Sequence, residues 1–153
     1  MFFGVLNGLD SVYSRNFKAF TNIDKIELGF NVDGVPLFHS SSYSLWPVLC
    51  YATNMWPRKV SVVAVYGEKS KPSDLKFLDD TVDELKKLAL EGVVVQDTGL
   101  VLQNDVLFSE GIHIGFELKF CVCDAPARPK VKGTKQFSGY YGCDKCAQKG
   151  KYI

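Results

Sequence analysis

Apolar and polar positions first fall into a regular pattern between Lys25 and Val32, where Ile26, Leu28, Phe30 and Val32 share one face. A period of two predicts a half-buried strand. Two more strands are predicted over Leu45–Ala52 and Lys59–Tyr66. The second holds Val60-Ser61-Val62-Val63-Ala64-Val65-Tyr66, whose β-branched density suits a central strand. Between the first two, Gly34-Val35-Pro36-Leu37-Phe38 turns the chain and Ser40-Ser41-Ser42 reads as a polar loop. Residues 1–22 form a helical lead-in, with a helix over Val5–Phe20 that Gly4 and Gly8 weaken.

The period then changes. Leu75, Leu78, Val82, Leu85 and Ala89 recur at helical spacing, with Asp79, Asp80, Asp83, Lys86 and Lys87 off the stripe. Pro72 or Ser73 opens this helix, its acids come early and its lysines late, and Gly92 ends it. A hairpin is predicted over Val93–Phe108, turning near Asp97-Thr98-Gly99, followed by a strand over Ile112–Cys123 and a short helix around Lys130–Phe137. The expected fold class is α/β: a three-stranded antiparallel meander, a helix, an added hairpin, and a strand that returns parallel to the first. That return sets the ends of the first and last strands side by side.

At 153 residues, 46% hydrophobic and 23% charged, the chain fits one globular domain with a real core. The net charge of +1 makes no statement by itself, but its distribution does. After Asp124, seven cations (Arg128, Lys130, Lys132, Lys135, Lys145, Lys149 and Lys151) face one acid, Asp144. A basic stretch of this kind meets a phosphate backbone, or is simply a solvated end. Five cysteines and a start without a basic, signal-like segment point to a reducing intracellular location, nuclear or cytoplasmic. No stretch approaches the length of a membrane span, so no membrane partner is expected.

Two aspartates carry the candidate chemistry. Asp33 closes the first strand and Asp124 the last. Carboxylates at the ends of adjacent strands are what a divalent metal needs to activate water against a phosphodiester. Each also has an ordinary reading: Asp33 before Gly34 as a turn residue, Asp124 as a strand terminus or helix cap. Cys143-Asp144-Lys145-Cys146 has zinc-knuckle spacing and supplies half a tetrahedral site. Cys121 and Cys123, on one face of a strand, either complete it or pack in the core, and Cys50 reads as core. His39 and His113 have no ligand-like neighbours in sequence. Tyr43, Trp46, Trp56, Tyr140 and Tyr141 are candidates for base stacking, with core or loop anchoring as the default. Gly67-Glu68-Lys69-Ser70 lacks the upstream glycine of a phosphate-binding loop.

An ordered series of segments sharpens this picture. It runs from Phe30-Asn31-Val32-Asp33-Gly34 through Ser40-Ser41-Ser42-Tyr43-Ser44-Leu45-Trp46-Pro47-Val48 and Gly67-Glu68-Lys69-Ser70-Lys71-Pro72. It continues with Asp83-Glu84-Leu85-Lys86, Cys123-Asp124-Ala125-Pro126-Ala127-Arg128 and Ser138-Gly139-Tyr140-Tyr141-Gly142-Cys143-Asp144-Lys145-Cys146. The series resembles the transposase core of CACTA (En/Spm-like) DNA transposons and related animal transposase-derived proteins, over roughly residues 26–152.

The resemblance implies an RNase H-like fold with a DDE triad, in which Asp33 and Asp124 match the first two acids. It implies Mg²⁺ (or Mn²⁺) as cofactor, DNA as partner and two-metal strand transfer as reaction. It also implies zinc at Cys143 and Cys146, together with later ligands. The third acid of that family, a glutamate on a late helix, has no counterpart, since no glutamate follows Glu117. The expectation is therefore a 1–22 lead-in and a partial core over 23–153, truncated at its C-terminal end and inactive alone. A non-catalytic nucleic-acid- or protein-binding remnant, and self-association into a homo-oligomer through an uncovered sheet face, are the alternatives.

Overall fold

The computed structural model describes residues 1–13, 19–20, 22–38, 43–69, 72, 74–96, 99–102, 111–124 and 127–135. Its elements are α1 (Val5–Tyr13), β1 (Lys25–Val32), β2 (Val35–Pro36), β3 (Ser44–Ala52), β4 (Ser61–Glu68), a 3-10 turn (Lys76–Leu78), α2 (Asp79–Glu91), β5 (Val93–Gln96), β6 (Gly99–Leu102), β7 (Ile112–Cys123) and α3 (Ala127–Val131). Among the described residues, no helix is long and apolar enough to cross a membrane.

The strands form one mixed open sheet. β1 pairs antiparallel with β3 (Val32 opposite Val48), and β2 continues in the same register (Val35 opposite Leu45), so β1 and β2 together make one arm of a hairpin. β4 pairs antiparallel with the other edge of β3. On the far side of β1 lies β7, parallel to it, and the β5–β6 hairpin joins antiparallel at the start of β7. The expected meander and its parallel return are therefore present.

The alternation in β1 and β3 builds the core. Ile26, Leu28, Phe30 and Val32 line up with Trp46, Val48, Cys50 and Ala52 on one face, all buried. Val5, Leu9 and Tyr13 of α1, Leu88 of α2 and Ala127 of α3 pack in the same cluster. The other face carries half-buried Leu49 and Tyr51 and exposed Phe120 and Val122.

Four elements differ from expectation. α1 is described over Val5–Tyr13, residues 14–18 lie outside the described residues, and Phe20 stands in a turn rather than in the expected helix. Gly8 does not break this helix. A Cβ there would sit 2.7 Å from Ser61 Oγ, so the glycine lets α1 approach β4. β4 is an outer strand rather than a central one: its free edge takes the N-terminus, with Phe3 N–H donating to Val63 O at 2.7 Å and Val65 N–H to Met1 O at 2.8 Å.

α2 begins at Asp79, later than Pro72 or Ser73, because a 3-10 turn and the Lys76 N–H to Asp74 Oδ1 bond (3.1 Å) occupy the segment before it. Its inward side is also rotated. Thr81 and Leu88 are buried, whereas Val82 and Ala89 are exposed. Leu78 and Leu85 pack against the core as expected, and beside them the Glu84 carboxylate turns in to accept from Val5 N–H (2.5 Å) and Leu6 N–H (3.0 Å), closing the start of α1. The last helix, α3, starts at Ala127 rather than near Lys130.

Gly34 stands between β1 and β2 against the buried indole of Trp46. A Cβ there would lie 2.7 Å from Cζ2. Gly34→Ala should therefore displace Trp46 and cost about 1–3 kcal/mol, read as a lower urea midpoint with altered tryptophan emission. Glu84→Ala should cost about 1–2 kcal/mol, as loss of a helix cap does, and Glu84→Gln, which keeps one acceptor, should cost less in the same titration.

Candidate functional site

The candidate site follows from the parallel pairing of β1 with β7. Val32 and Cys123 are register partners, the last pair of the ladder. Asp33 and Asp124 each come one residue later. They therefore leave neighbouring strands, about 4.8 Å apart, at the same end of the sheet. Asp33 is half-buried and Asp124 exposed.

Their surroundings differ. Asp124 caps α3: its Oδ1 accepts from Ala127 N–H at 2.6 Å and its carbonyl from Arg128 N–H at 3.0 Å. The helix-cap reading of Asp124 thus holds, and it ties down one carboxylate oxygen while leaving Oδ2 to point elsewhere. The Asp33 carboxylate makes no hydrogen bond or ion pair among the described residues. Its backbone is held by Gly34, pressed on Trp46, whose Nε1–H donates to Ser44 Oγ at 3.2 Å.

A second charged cluster lies at the opposite end of the same two strands. Glu27 and Glu117 are register partners. Glu117 bonds Lys25, and Lys119 bridges Glu27 and Glu117 at 3.1 Å each. Lys25 first, then Lys119, holds the Glu117 carboxyl below its ordinary range, and Glu117 with Glu27 raises the Lys119 ammonium. The signal in sequence was the mirrored spacing Lys25-x-Glu27 and Glu117-x-Lys119. Asp33 lies six residues along the strand from Glu27, about 20 Å, so neither glutamate reaches the aspartate pair.

The cysteines divide. Cys50 is buried, its Sγ 3.5 Å from Ser61 Oγ, and burial raises its thiol. Cys123 is buried and Cys121 exposed, with their sulfurs 3.8 Å apart. Desolvation of the inward-turned sulfur and the Cys123 thiol beside it push Cys121 up to about 12, so it stays protonated at neutral pH. Cys143 and Cys146 lie outside the described residues, as do His39, Tyr140 and Tyr141. His113 is exposed on β7. Among the described residues, no group of three or more His, Cys, Asp or Glu side chains gathers as a metal cluster. Of the aromatic candidates, Trp46 is core, Tyr43 packs under Lys69 (Nζ 5.5 Å from the ring centre), and Trp56 stands 76% exposed. Trp56 thus departs from the anchoring expected of it.

Comparison with known proteins supports a transposase-family protein. No curated protein and no solved structure matches it. The model of the family described as "Transposase family tnp2" matches residues 9–153. That span takes in both strand-end aspartates, the tryptophan-backed loop between β1 and β3, and the cysteine pair, and on it the chain belongs to the tnp2 family of transposases.

Proposed function

We propose that this chain is a transposase-derived, RNase H-like domain of the DDE type, akin to CACTA (En/Spm-like) transposases, in which Asp33 and Asp124 are the first two metal-holding carboxylates. The observation that supports this most is the register of Val32 with Cys123, which sets the aspartates level on parallel strands. Two carboxylates suit Mg²⁺ or Mn²⁺, which bind through one or two such groups and fill their remaining positions with water and substrate phosphate. When bound, such an ion activates a water or 3′-hydroxyl and stabilises the leaving oxygen of a phosphodiester.

The protein's own part is positioning. Asp33 presents a carboxylate without a competing partner among the described residues. Asp124 is steadied through Oδ1 by the start of α3, which fixes the direction of Oδ2. The third acid of a DDE site is not supplied by Glu27 or Glu117, which sit about 20 Å away and are committed to Lys25 and Lys119. On this reading the stretch binds metal and DNA, and strand transfer calls for a third acid other than Glu27 and Glu117. Cys143 and Cys146 would contribute two thiolates to a zinc site. A second reading, a non-catalytic nucleic-acid-binding module, draws on the seven cations that follow Asp124.

Mn²⁺ binding, followed by water-proton relaxation, should be lost in Asp33→Asn. Asp124→Ser should lose the metal yet keep the helix cap and near-normal stability, whereas Asp124→Ala should lose both, at about 1 kcal/mol. Metal binding unchanged in Asp33→Asn and Asp124→Ser would remove the carboxylate pair from the proposal. With Mg²⁺ and transposon-end DNA, the chain should bind in a salt-dependent manner but not cleave. Robust cleavage abolished by Asp33→Ala would show a complete site.

A further inference from the structure

The loop from Thr53 to Val60, between β3 and β4, is pinned on both sides of one exposed tryptophan. Thr53 N–H donates to Glu27 O at 2.7 Å. Asn54 Nδ2 donates to Lys25 O at 2.8 Å, and its Oδ1 accepts from Glu27 N–H at 3.0 Å. Met55 is 4% exposed, within the core. On the other side, Pro57 O accepts from Tyr13 Oη–H at 3.0 Å. Trp56 lies between these anchors and is 76% exposed. Its neighbours are fixed, so the indole is held out by the fold rather than left there by a loose loop. An indole held in water in this way offers its face for stacking.

Arg58 and Lys59 follow, both exposed, and neither has an ion-pair partner among the described residues. The segment 53–60 contains no acid. A fixed aromatic face beside two free cations is the arrangement that takes a base by stacking and its phosphates by charge. The loop is fastened to Lys25 and Glu27, at the opposite end of β1 from Asp33, about 20 Å away, so its use does not compete with the aspartate pair.

We propose that Trp56, Arg58 and Lys59 form a single-stranded DNA contact, with Trp56 as the stacking platform and the two cations as phosphate contacts, separate from the aspartates. The loop chemistry fits any single strand. The choice of DNA rests on membership of a transposase family, and the site itself does not depend on the role given to Asp33 and Asp124.

The protein carries its own probe. It has two tryptophans, and Trp46 is 4% exposed, so collisional quenching by acrylamide reports on Trp56. An oligothymidylate of about 12 nucleotides, within the span of simple single-strand sites, should quench the emission and shield it from acrylamide. Trp56→Ala should weaken binding about 5- to 150-fold, the range of one stacked base, while Trp56→Phe should retain most of the affinity. The double variant Arg58→Gln, Lys59→Gln should reduce the slope of log K against log salt by about 1.4, at about 0.7 per phosphate contact on a single strand. Asp33→Asn should leave all of these unchanged. Three results would overturn the proposal: no quenching by the oligonucleotide, equal binding of a duplex without quenching, or shielding of Trp56 that grows with protein concentration in the absence of DNA. The last would make the loop a contact between copies of the chain.

Discussion

The parallel pairing of β1 with β7 is the contact on which the rest of the molecule depends. β1 and β3 are neighbours in sequence and form a hairpin by local closure. β7 comes some eighty residues later, and its place beside β1 closes a long loop whose entropic cost the buried face must offset. That face is supplied by Ile26, Leu28, Phe30 and Val32, each buried, with Ile114 and Cys123 on the β7 side. The charged residues between them are not left stranded, because Glu27, Glu117, Lys25 and Lys119 neutralise one another across the two strands. Exposed pairs of this kind add little stability. Their use here is to offset the like charges of Glu27 and Glu117, which the register sets opposite each other.

The register contains one irregularity with consequences for the site. Leu28 pairs with Leu118 and Gly29 with Phe120, so Lys119 has no opposite residue on β1. An extra residue inverts the alternation beyond it. Before it, Ile114 faces the core. After it, Cys123 does, while Phe120 turns to the other face and lies on Gly29, where a Cβ would be 2.7 Å from its ring. Without the bulge, Val32 would stand opposite Val122, and Asp33 opposite Cys123. The bulge takes up Lys119 and so brings the two aspartates level. Gly29 is the accompanying concession, giving Phe120 room beside Tyr51, at a ring separation of 6.2 Å.

Much of this architecture could be read from residues alone, for identifiable reasons. β1 and β7 were legible because alternation over eight and twelve residues has one economical explanation, a half-buried strand. The level placement of Asp33 and Asp124 followed from topology, without knowledge of the bulge that makes it accurate. What could not be read depended on partners distant in sequence. On α2, Glu84 turns in to reach Val5 and Leu6, nearly eighty residues upstream. β4 has the composition of a central strand but lies at the edge, where Met1 and Phe3 hydrogen-bond to it. Gly8 looked like a weak point in a helix and is a point of close contact instead. Periodicity reports which residues are apolar, not which polar group will turn inward to satisfy another element's backbone.

In the proposed site, Asp124 combines a structural and a chemical role in one side chain. A short helix of five residues has little intrinsic stability and needs its cap. Asp, Asn, Ser or Thr would serve as that cap. Asp adds a negative charge, and the sheet places that charge beside Asp33. In the proposed site, the two carboxylates at adjacent strand ends would offer a cation ligands as well as opposite charge. Ser at 124 would still hold α3. The helix thus accounts for a capping residue at position 124, but not for a carboxylate there together with a second one opposite. Capping does not require that combination, and it is the physical ground for treating the pair as a site.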